Sequence, residues 1–153
     1  MSKASEGPTP GFLVWRLSMK WRAAVDRALA PLGLTHAHYA VLSSLLGMER
    51  AGLYPSQREL ADHTGLESLY VSKLARTLDA EGLIQRSRDP EDARTVRLTL
   101  TDRGRGTVRP AIATVHGLLD RLLAPLGGRD ARRTAAFVRD LTALLDAQLD
   151  PPS

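Results

Sequence analysis

Between Ser56 and Leu74 the chain reads SQRELADHTGLESLYVSKL, two helical patterns joined by one tight turn. Ser56 with Glu59 three places on is a capping-box arrangement, in which a hydroxyl and a carboxylate exchange hydrogen bonds with the free N–H groups of a helix start. It opens a short helix through about His63, and Gly65 ends it. The next helix runs roughly from Glu67 to Glu81, with Gly82 just past its end. Val71, Leu74, Ala75 and Leu78 fall at i, i+3, i+4 and i+7, so they share the face that must be buried. At 100° per residue the opposite face holds Leu69, Ser72, Lys73 and Arg76, with Tyr70 and Thr77 at its margin.

Leu83 to Arg88 and Thr95 to Leu100 are short runs of polar and β-branched residues on either side of DPEDA, which reads as two strands and a hairpin tip. Around this centre lie helical patterns: Phe12 to Leu29, with Trp15, Met19 and Ala23 at helical spacing, and His36 to Gly47, with Thr35 as N-cap and Tyr39, Leu42 and Leu46 in its stripe. Thr101 to about Leu126 follows the hairpin; Gly104, Gly106 and Pro110 are expected to loosen or bend its first half. Asp130 to about Leu149 closes the chain, with Phe137, Leu141, Leu144 and Leu145 on one face. The fold expected is mainly α with a small β-wing: a winged helix-turn-helix over about 34–104, flanked by helical regions 12–33 and 105–149 in one domain, 1–153.

With 153 residues, 43% apolar and 25% charged, the chain has the composition of one globular domain. It has no cysteine, so disulfides, thiolate metal sites and thiol redox switches are out. No apolar run approaches the ~20 residues of a membrane span, and MSKASEGPTP lacks the apolar core of a secretory signal, so a cytoplasmic protein without membrane contact is expected. His36 and His38 face different sides of a helix and His63 and His116 stand apart, so no metal site is expected. No phosphate loop, nucleophile elbow or HExxH motif marks an enzyme, and no cofactor is called for.

The net charge of +4 favours an anionic partner only mildly, and from Pro55 to Arg105 nine Lys or Arg balance nine Asp or Glu. Arrangement therefore carries the case for DNA. Lys73 and Arg76 can donate to guanine or phosphate, Ser72 is permissive, Leu69 suits a thymine methyl, and Ser68 sits where a phosphate contact is made. Arg86, Arg88, Arg94 and Arg97 put four guanidiniums on one hairpin, around an acidic tip of Asp89, Glu91 and Asp92. Acids there repel DNA unless paired, so Asp92 is assigned to orienting a nearby arginine. A solvated amphipathic helix and a hairpin of ordinary alternating charges are the competing accounts.

The strings LTHAHYAVLSSL and QRELADHTGLESLYVSKLARTLDAEGLIQRSRDPEDARTVRLTLTDRG resemble the MarR (multiple antibiotic resistance regulator) family, from its second helix through its wing. The wing signature is Asp92-Ala93-Arg94, then Leu98-Thr99-Leu100-Thr101 and Gly104. The resemblance implies a homodimeric, sequence-specific DNA-binding transcription regulator, a ligand-responsive repressor on a palindromic, inverted-repeat operator. The DNA-contact set it leads us to expect is Ser56, Gln57, Ser68, Leu69, Tyr70, Ser72, Lys73, Arg76, Arg86, Arg88 and Arg94. It also implies that a small aromatic or lipophilic acid binds near Trp15, Arg16, Met19, His36, His38 and Tyr39. Trp15 and Met19 fit a plain core equally, and His38 stands where the family often has glutamine. The rival function is a winged-helix module that binds another protein, with no specific DNA binding.

Overall fold

A computed structural model describes residues 7–152, so Met1 to Glu6 of the leading segment, and Ser153 of the tail, lie outside the described residues. The elements are α1 (Pro10–Leu29), α2 (His36–Arg50), α3 (Gln57–Thr64), α4 (Ser68–Ala80), β1 (Ile84–Arg88), β2 (Val96–Leu100), α5 (Asp102–Leu123) and α6 (Arg132–Leu145). Single 3₁₀ turns, Ala30–Leu32 and Ala124–Leu126, follow α1 and α5. Two compact units divide the chain at Thr114 and Val115, inside α5. Among the described residues no helix is long and apolar enough to cross a membrane.

In the first unit the helix-turn-helix forms for the reasons its sequence announces. The Ser56 hydroxyl accepts the Glu59 N–H at 3.1 Å while the Glu59 carboxylate accepts the Ser56 N–H at 3.4 Å. Gly65 closes α3 in the left-handed region at φ +76°, where a β-carbon is strained. Val71, Leu74, Ala75 and Leu78 are all buried, in a core with Leu29, Leu42, Leu46, Leu60, Ile84, Leu98 and Val108. The hairpin is antiparallel, with Ile84 opposite Leu100 and Arg86 opposite Leu98. On the far side of β2 the Leu98 N–H donates to Pro55 O at 3.0 Å and Ser56 bridges to Arg97, which ties the wing to the segment leading into α3.

Several boundaries differ from expectation. α2 passes through Gly47 to Arg50, because the residue that stops it is Gly52 at φ +75°, with the Leu53 N–H returning to Met48 O at 2.8 Å. The capping box at its start uses Thr35 and His38. α1 begins at Pro10, with the Thr9 hydroxyl accepting the Phe12 N–H. In the second unit α6 spans only Arg132–Leu145; Leu149 is exposed beyond its end, and no glycine stop stands there to be read.

The glycines of α5 do not interrupt it. Gly104 is there for clearance: a β-carbon on it would lie 2.0 Å from Leu83 O. Thr101 fixes that approach, its N–H donating to Leu83 O at 3.1 Å and its hydroxyl to Gly82 O at 2.6 Å. The same hydroxyl accepts the Gly104 N–H at 3.0 Å. Gly106 faces open space. Gly104→Ala is therefore expected to destabilise the chain by more than about 2 kcal/mol in urea titrations, and Gly106→Ala to be neutral or stabilising by up to ~1 kcal/mol. Equal effects at the two positions would refute the close-approach account.

Candidate nucleic-acid interface

The outward face of α4 is set by what its inner face buries. Leu69 is 85% exposed, Lys73 and Arg76 are exposed, and Ser72 is half-buried at the edge of the stripe. Glu67, the residue before the helix, makes no side-chain cap. The first turn of α4 thus presents its N–H groups with no capping side chain on them, a setting that suits an anion.

The start of α3, the start of α4 and the wing together enclose an open cleft of about 550 Å³ lined by Ser56, Gln57, Arg58, Ser68, Asp92 and Arg94, with Thr95 and Val96. Five residues singled out in the sequence meet there. Arg58 was missed; its signal was its place in the first turn after the capping box. Ser56 lines the cleft at 7% exposure, and its hydroxyl accepts the Glu59 N–H as the cap of α3.

The four wing arginines have different surroundings. Arg94 is free to reach outward, with 95% of its side chain exposed. Asp92 Oδ1 accepts the Arg94 backbone N–H at 3.0 Å and lies 3.7 Å from Arg94 Nε, while Oδ2 accepts from the Thr95 hydroxyl. Arg97 is held by Asp89, by Tyr54 O at 3.0 Å and by Glu59 at 3.5 Å. Arg88 donates to Ala93 O across the tip at 2.8 Å. Arg86 Nε donates to Asp79 of α4 at 2.9 Å. Two acids of the tip that would repel a phosphate backbone, Asp89 and Asp92, are thus engaged within the hairpin.

Tyr70 takes a different position from the rest of the α4 set. It lines a second cleft of about 470 Å³ with Arg22, Asp26, Leu34, Thr35 and His36. Here the His36 N–H donates to Asp26 at 2.6 Å. Burial, then the Arg22 charge, hold the His36 imidazole below its ordinary range, against the opposing pull of Asp26. Arg22 and Asp26 were not singled out in the sequence, because nothing local announces that the end of α1 meets the start of α2.

The other residues read as ligand contacts do not gather in that cleft. Trp15 is 61% exposed and Met19 43%, which overturns the plain-core alternative for them within the single chain. Arg16 and Met19 line a shallow groove along α1 with Leu13, Leu17, Lys20 and Ala23. His38 Nδ1 accepts the Thr35 N–H in the capping box, and burial raises the half-buried Tyr39 phenol above its usual range.

Comparison with known proteins is consistent with this geometry. The MarR family model matches residues 32–95. The HTH-type transcriptional regulator YdcH of Bacillus subtilis is 37% identical over 108 residues, which cover 71% of this chain and 74% of that protein. The transcriptional repressor CouR, solved bound to a 23-mer DNA duplex, is similar with a TM-score of 0.76 at 29% identity, over 94% of this chain and 99% of CouR. The PcaV transcriptional regulator of Streptomyces coelicolor, solved with its natural ligand, gives 0.75 at 27% identity, over 96% and 99%.

Asp89 carries a pH consequence. The Glu91 N–H, then the Arg97 guanidinium, hold its carboxyl below the ordinary aspartate value. A depressed carboxylate contributes stability above its unfolded value that is lost as pH falls through the folded one. Thermal melts from about pH 5 to pH 3 should therefore show an acid loss that is smaller in Asp89→Asn, which has no charge to lose. An identical acid limb in both proteins would remove Asp89 from the account.

Proposed function

The chain belongs to the MarR family of winged helix-turn-helix transcription regulators, and on that footing we propose that it is a ligand-responsive repressor that binds an inverted-repeat operator as a homodimer. The observation that carries this reading is the exposure of Lys73 and Arg76 on α4 and of Arg94 on the wing, with Arg94 and Ser68 at the start of α4 lining one cleft. A helix with donors on its outer face suits the major groove, and a guanidinium at a hairpin tip suits the adjoining minor groove. The duplex bound by CouR supports the same use of the face here.

Dimerisation is supported by apolar surface that each terminal region leaves uncovered. On α1, Phe12, Leu13, Val14, Trp15 and Leu17 are all at least 40% exposed; on α6, Val138, Leu144 and Leu145 are more than half exposed. Patches of this kind mark association surfaces, and a two-fold dimer imposes its symmetry on the site it reads. The effector in this reading is a small aromatic or lipophilic acid, supported by PcaV's ligand complex. The Tyr70 cleft offers it a guanidinium, an imidazole and a phenol. Arg16 with Trp15 and Met19 on the open face of α1 is the other anchor. The ligand-free dimer covers a promoter, and the effector releases it by binding better to a geometry mismatched with the operator.

Lys73→Ala and Arg94→Ala are each expected to weaken operator binding by roughly 1–3 kcal/mol in gel-shift titrations, while sedimentation shows an intact dimer. Unaltered binding in both would favour the protein-partner function. Footprinting should reveal an inverted repeat with half-sites about one helical turn apart. Protection of a single half-site would count against the symmetric dimer.

A further inference from the structure

Asp79 occupies an unfavourable place. It stands in the last turn of α4, where the negative end of the helix dipole opposes a carboxylate and where aspartate is a poor helix former. Its Oδ2 accepts the 2.9 Å bond from Arg86 Nε, and each side chain remains about one-third exposed, at 37% and 35%.

The hairpin register explains why the two meet. Side chains alternate along a strand, so Arg86 shares the face of Ile84, which is buried, and its cross-strand partner Leu98 is buried too. That face is turned toward the helix pair, while Gln85 and Ser87 lie on the other. Only Glu81, Gly82 and Leu83 separate α4 from β1, and they form a fixed turn: Gly82 is at φ +75° and the Leu83 N–H returns to Leu78 O at 2.9 Å. A three-residue turn thus joins α4 to β1, and an ion pair spans the two arms that leave it.

Resting on the DNA-reading function above, we propose that Asp79 and Arg86 are positioning residues whose ion pair sets the angle between α4 and the wing, so that Lys73 and Arg94 reach one duplex together. Arg86 then serves the interface from inside and not as a phosphate clamp. The sign of one substitution separates this role from a charge effect. A carboxylate near a DNA-binding face repels phosphates, so on charge alone Asp79→Ala would tighten binding. The brace requires that it weaken binding, although alanine is the better helix former.

The test is fluorescence anisotropy of the full chain with DNA from upstream of its own coding sequence, between about 50 and 200 mM salt, with thermal melts as a check on folding. Asp79→Ala and Arg86→Ala are expected to weaken binding about three- to ten-fold each, with the double variant no worse than the weaker single one. Neither should alter the slope of log affinity against log salt, whereas Arg94→Ala should flatten it by about one for each wing. Exchanging the charges, Asp79→Arg with Arg86→Asp, should recover part of the affinity. Unchanged or tighter binding by Asp79→Ala, or a flattened slope for Arg86→Ala, would overturn the brace and leave the DNA-reading function standing. A parent chain with no preference for that DNA over random duplex would overturn both.

Discussion

The reading unit depends on how closely α5 approaches the carbonyl of Leu83. The end of α4, the first residue before β1, and the start of α5 converge there within hydrogen-bonding distance, held by the Thr101 backbone and hydroxyl. A methyl group at Gly104 would not fit. Because a wing is only two strands, it has little core of its own. Its position must come from what holds its root, and this junction supplies that hold on one side as Pro55 and Ser56 do on the other.

Electrostatic arrangement then does what net charge does not. Around the wing, carboxylates and guanidiniums neutralise one another in pairs: Asp79 with Arg86 and Asp89 with Arg97. Farther along, Glu49 takes Arg105, whose guanidinium holds that carboxyl below its usual value. Among the described residues Lys73 and Arg76 form no ion pair and are exposed, and Arg94, though 3.7 Å from Asp92, keeps 95% of its side chain open to solvent. A segment that is neutral in sum still presents a cationic face to one side, which is the form of charge that a nucleic acid detects at short range.

Local chemistry was legible in the sequence and long-range meetings were not. The capping box at Ser56 and Glu59, the left-handed Gly65 and the buried stripe of α4 follow from spacing alone, because each involves residues within one or two turns. The extension of α2 past Gly47 was hidden because glycine is tolerated near a helix end, and the stop lies at Gly52. The helical wheel puts Tyr70 at the margin of the outward face and the resemblance counts it among the DNA contacts, yet it lines a cleft with Arg22 and His36, more than thirty residues earlier in the chain. Arg86 likewise reads as one more wing cation until the register puts it on the face of Ile84 and Leu98.

The bond from Leu98 to Pro55 has a bearing on solubility. A two-stranded ribbon has two open rims, each able to recruit a strand from another molecule and begin aggregation. Here one rim is occupied by the chain itself, and the other, along β1, is short and carries Arg86 and Arg88. The wing can stand out toward solvent without becoming a template for sheet growth.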